Sequence, residues 1–224
     1  MGQGISEVLT FAVGVAISPL AIIAVILMLF SSRARVNGPA FLFGWVVALT
    51  AVSTIVYVLS HDGNVATDST AADSVSWGKI VLGVVFLLLA RRNWGSRPAA
   101  GTKPSMPRWM ARVDSFTALE AAGLGVVLAA ANAKNLFLTM GSATGLAQLG
   151  LSTSDAIVAT TVFVLLASVP IAGAVIYAWA GGERARTSLD SAKTWFGVHN
   201  AAVLAALFLV FGVDLIAKGL PPLT

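Results

Sequence analysis

The sequence predicts an all-α integral membrane protein of six transmembrane helices, arranged as two inverted three-helix repeats with interruptions in helices 1 and 4. Three observations carry that expectation. The 224 residues are 57% hydrophobic and 11% charged, with mean hydropathy +0.87, which leaves too little polar surface to clothe a soluble domain. Apolar runs of roughly 20 residues, the length that crosses a hydrocarbon layer about 30 Å thick, recur along the chain. The basic residues are segregated into alternate connections.

The predicted spans cover approximately 5–30, 39–60, 77–91, 117–147, 154–180 and 197–217. Their apolarity is continuous, without the alternation of a membrane barrel, so helices are the expected form. The start, MGQGISEVLT, has no basic residue ahead of its apolar run and reads as the beginning of the first span. Arg33 and Arg35 follow the first span. Arg91, Arg92, Arg97, Lys103, Arg108 and Arg112 follow the third, and Arg184, Arg186 and Lys193 the fifth. The 61–76 connection carries three Asp and no Lys or Arg, and 148–153 is uncharged. The positive-inside bias then makes the odd-to-even connections cytoplasmic and turns both termini to the extracytoplasmic side of the cytoplasmic membrane.

The Pro- and Gly-bearing basic stretch 96–115 divides the chain into a first three-helix repeat, 1–95, and a second, 116–224. An odd number of spans per repeat inverts the second relative to the first, a plan that places a transporter's site at mid-membrane. An offset of about 114 residues superimposes the hydropathy of the two halves and sets Ser18-Pro19 opposite Asn132-Ala133.

Spans one and four each carry a helix-start signal in their interior. Ser is a favoured N-cap and Pro a favoured first helical residue, so a fresh helix is expected at Pro19. Asn132 is the corresponding cap in AANAKN. The fourth span, roughly 30 residues or about 45 Å if straight, exceeds the membrane thickness, and a break relieves it. Lys134 lies just past this break, with no other charge between Glu120 and Asp155. Two half-helix N-termini and an ammonium near the midplane suit an anion such as a carboxylate, sulfate or phosphate. The expected substrate-binding residues are therefore Lys134, Asn132, Asn135, Ser18 and Pro19, with Asp214 as an internal ion partner for the lysine. A Pro kink without function, a snorkelling lysine and a purely structural ion pair are the competing readings.

Several functions have no residues to carry them. The chain contains no cysteine, and no Walker A, GxSxG or HExxH pattern, so neither nucleotide hydrolysis nor a catalytic residue is expected. His61 with Asp62 and Asp73 makes a poor metal site, so no metal or cofactor is expected. The net charge of +4 reflects topology rather than nucleic-acid binding. Pro170 marks a kink whose freed carbonyl Ser168 is placed to satisfy. Gly141 and Gly145 suggest a close helix contact. Trp45, Trp77, Trp94, Trp109, Trp179 and Trp195 mostly fall near predicted span ends, as interfacial anchors do. The basic 91–115 loop is expected to meet anionic inner-leaflet lipids.

Six spans, Ser18-Pro19 in the first, NGPAFLFGW opening the second, a basic central loop and AANAKN in the fourth resemble the lysine-exporter superfamily. Within it the chain is most similar to the actinobacterial glycopeptidolipid- and sulfolipid-addressing proteins, the GAP or Sap family. Asn132, Lys134 and Asn135 match that family's Asn-Pro-Lys-Asn signature, from which Ala133 departs. The resemblance implies a transporter that moves or delivers a cell-envelope lipid or glycolipid with an anionic or polar head. The alternatives are an accessory protein docked on a lipid-biosynthesis enzyme such as an acyltransferase, and an exporter of amino acids or other small solutes. A homodimer is the remaining expected assembly.

Overall fold

The computed structural model describes residues 2–61, 77–97, 112–113 and 115–220. Among these there is no strand. The described residues form eight α-helices, in order α1 Gly2–Ala16, α2 Pro19–Phe30, α3 Ala34–His61, α4 Trp77–Gly95, α5 Ala118–Val126, α6 Ala133–Gln148, α7 Thr153–Ala180 and α8 Gly182–Gly219. A π-helical turn, Val127–Ala131, continues α5 up to the start of α6.

Among the described residues three helices, α3, α7 and α8, are long and apolar enough to cross a membrane, and there are up to five candidate spans if each of two bent pairs counts as one. By that measure the chain is a membrane protein. The bent pairs are α1 with α2, at 57°, and α5 with α6, at 64°. They coincide with the two interruptions expected at Ser18-Pro19 and at Asn132. The fourth span is thus broken with Ala133 in place of proline, because the Asn132 cap and the π turn suffice to end one helix and start another. The predicted third span is helical as α4, but Lys79, Arg91 and Arg92 leave no long stretch of it nearly free of charge. Its uncharged stretch, 80–90, rises only about 16 Å.

The chain forms two compact units, each drawn from both sequence halves. The larger comprises Met1–Val65 and Met106–Phe196, the smaller Ala66–Ser105 and Gly197–Thr224. In the smaller unit α4 packs on the second part of α8. A Cβ on Gly83 would stand 2.8 Å from the Gly212 carbonyl oxygen, and Phe86 meets Phe208 edge-on at 5.3 Å between ring centres. Small residues permit this approach where lipid supplies no hydrophobic drive.

In the larger unit α3 packs on α5 and α6, and α1 on α6 and α7. The α3–α5 contact is backbone against backbone: a Cβ on Gly44 would overlap the Ala122 carbonyl, and one on Gly125 the Phe41 carbonyl. Gly141 faces the Phe11 ring and Gly145 the Glu7 carboxylate, so the predicted GxxxG contact joins α6 to α1. Trp45 is not an interfacial anchor. It is fully buried beside Phe41, with Gly125 against its backbone, whereas Trp77, Trp94, Trp179 and Trp195 are exposed. Helix α7 runs unbroken through Pro170. There Ser168 Oγ donates to the Val164 carbonyl at 2.7 Å, the i−4 oxygen of its own turn, and not to the Leu166 carbonyl that Pro170 leaves without an N–H.

Candidate functional site

The two helix breaks meet in the larger unit, and polar side chains join them. At the end of α1 the Ser18 N–H turns to the Ala16 carbonyl at 2.9 Å, so the Gly14 carbonyl loses the partner a continuing helix would provide. Pro19 has no N–H to offer the turn behind it. Lys134 fills the gap. Its Nζ donates to the Gly14 oxygen at 2.6 Å and to the Ile17 oxygen at 3.0 Å.

The second break is repaired in the same manner. With Asn132 extended, at φ −75° and ψ 114°, the Leu128 carbonyl has no helical donor at its usual place. Asn135 Nδ2 donates to it at 2.8 Å and also reaches Ser18 Oγ at 3.2 Å. Asn132 Oδ1 caps the new helix by accepting from the Lys134 N–H at 3.1 Å. Ser18 occupies the N-cap position of α2 but makes no capping bond there, and its hydroxyl serves the Asn135 amide instead. Thus Ser18, Pro19, Asn132, Lys134 and Asn135 come together from positions more than a hundred residues apart. Ser18, Pro19, Lys134 and Asn135 are buried, Asn135 completely.

The electrostatics differ from three positive ends pooled at one point. The Lys134 ammonium lies on the carbonyl end of α1, where the helix dipole is negative, and so offsets that end. The N-termini of α2 and α6 supply the remaining positive potential. Asp214 lies in the smaller unit, on α8.

The sequence reading passed over three further features of this region. Thr139, one turn beyond Asn135, is buried, and its Oγ1 and the Asn135 Oδ1 have no hydrogen-bond partner among the described residues. Asn37, in the NGPAFLFGW stretch, is fully buried and donates from Nδ2 to the Phe116 carbonyl at 2.9 Å, which ties α3 to the segment entering α5. Thr117 and Glu120 form a capping box at the start of α5, and the spacing Thr-x-x-Glu is its sequence signal. Most of the basic 91–115 loop, Trp109 included, lies outside the described residues, as do Asp62 and Asp73.

The family model described as Sap, sulfolipid-1-addressing protein, matches residues 8–221. No curated protein and no solved structure matches the chain.

Proposed function

The chain belongs to the Sap, sulfolipid-1-addressing protein, family, and from that premise we propose that it moves or delivers a cell-envelope lipid with a polar or anionic head across the cytoplasmic membrane. The observation that carries this reading is the junction of two broken helices, held by Lys134 and Asn135. Broken spans that meet are the construction used where a polar group is handled inside hydrocarbon.

The charge at that junction is movable. A lysine held by carbonyl oxygens, rather than by a carboxylate, exchanges one set of neutral acceptors for an anionic one when cargo arrives. Asn135 Oδ1 and Thr139 Oγ1 offer further capacity to a hydroxyl or amide of the head. On this reading the basic connections face the cytoplasm and the fold is an inverted repeat of the lysine-exporter kind. The residues present suit binding and passage.

Surface-extractable and total lipids of a deletion strain, complemented with wild type or with Lys134→Ala, test the proposal. A lipid made but absent from the surface, restored by wild type and not by the variant, is the expected result. Loss of the lipid from both pools overturns transport in favour of the biosynthetic accessory.

A further inference from the structure

The larger unit carries a second feature, away from the buried lysine. Between α2, α7 and the first part of α8 runs a groove of about 410 Å³, lined by Ile17, Ile22, Ile26, Pro170, Gly173 and Leu189 among others. Its walls are almost wholly apolar, and a Cβ on Gly173 would meet nothing within 4 Å. One end lies at Ile17, the residue whose carbonyl receives Lys134. At the other end Leu189 is shared with a polar cleft of about 350 Å³, lined by Phe30, Glu183 and Arg186. That cleft shares Leu29 and Ala178 with a larger one of about 650 Å³ that contains Arg35 and Trp179.

We propose that this groove and its basic mouth form a binding site for one anionic lipid of the inner leaflet, with the head at Arg186 and Arg35 and one acyl chain laid toward the α1–α2 break. Length supports the assignment. From Ile17, Ile22 and Ile26 in the groove to Leu29 and Phe30 in the adjoining cleft, the two together run along α2, whose 12 residues rise about 18 Å, close to half of a hydrocarbon core roughly 30 Å thick. A chain lying there begins at the headgroup level and ends near the midplane.

Charge supports it as well. Arg35 and Arg186 line the clefts at the mouth, and Lys193 stands over Phe30 there, against Glu183 and Asp190. Asp190 is already paired with Lys193 at 2.6 Å, and Lys193 Nζ and the Arg186 guanidinium both lie over the Phe30 ring, at 5.3 and 5.5 Å. The helix that carries the mouth suits the interface, with Ala185 and Leu189 buried and the charged residues outward. This site deepens the lipid-transport reading and rests on it for the identity of the leaflet. It supplies the place where an amphiphile waits before its head reaches Lys134.

The test is lipid retention by the full-length protein in detergent, read by native mass spectrometry with phosphatidylglycerol or phosphatidylcholine added. The expected result is preferential retention of phosphatidylglycerol. Arg186→Gln should weaken it about five-fold, the effect of one basic residue at an anionic surface, and Arg35→Gln should act similarly. Gly173→Phe, which fills the groove, should reduce retention of phosphatidylglycerol at unchanged mouth charge. Arg184→Gln removes the same charge from a residue that lines none of these clefts and should leave retention unchanged.

Equal retention of the two lipids by wild type, or equal losses in Arg184→Gln and Arg186→Gln, overturns the site. So does displacement of the lipid by inorganic phosphate alone with Gly173→Phe behaving as wild type. Size-exclusion profiles confirm folding of each variant. Failure of the transport reading is separable: the deletion strain would then show unchanged surface lipids while the purified protein still retained phosphatidylglycerol selectively.

Discussion

Lys134 and Asn135 repair the backbone at two places where a helix stops inside the protein. Each takes over a carbonyl that has lost its i+4 donor, Gly14 for the lysine and Leu128 for the asparagine. Substitution therefore acts on stability and function together. Lys134→Met should leave the protein folded and inserted but lower its thermal midpoint in detergent, because an unpaired buried carbonyl costs roughly 1–3 kcal/mol. Export should be lost. Lipid export at wild-type level with normal abundance would remove Lys134 from the site. Asn132→Ala should cost about 1 kcal/mol through the lost cap alone, with export retained in part. A thermal-shift comparison of the two variants reads the difference.

At the scale of the helix, the fourth span shows that a break does not require proline. Asn132 already has the extended backbone that a following proline favours, and the Ala133 N–H falls in the first turn, where helical N–H groups have no intrahelical acceptor. Ala133→Pro should thus be accepted, raising stability by roughly 0.4–1 kcal/mol through a less flexible unfolded chain. A fall in thermal midpoint would show that the junction needs freedom at that bond. The α3–α5 contact gives a paired prediction. Gly125→Ala should destabilise by roughly 1–3 kcal/mol, since its Cβ meets the Phe41 carbonyl. Gly123→Ala, on the same helix with open space around it, should stabilise by roughly 0.5–1 kcal/mol. Equal effects would mean that the two helices are not in close contact in the membrane.

For the whole molecule, the orientation expected from the distribution of charge is directly measurable, because the sequence contains no cysteine. Gly2→Cys should react with an impermeant thiol reagent in intact cells, and Ser32→Cys only after the membrane is opened. The reverse pattern would invert the topology and move the basic mouth away from the cytoplasm. The long apolar runs and the helix-start signals at Ser18-Pro19 and Asn132 were legible in the sequence because they are local: a span needs length and apolarity, and a break needs a cap. The same locality misled the reading of Trp45, since a tryptophan near a predicted helix end looks alike whether it faces headgroups or a neighbouring glycine. By itself, then, the sequence determined that this chain is helical and membrane-embedded, where its helices are interrupted, and which lysine stands alone. Only the tertiary structure decided what that lysine holds, because the carbonyls of Gly14 and Ile17 are more than a hundred positions away and every residue has a carbonyl. Composition cannot mark which ones a fold leaves without a donor.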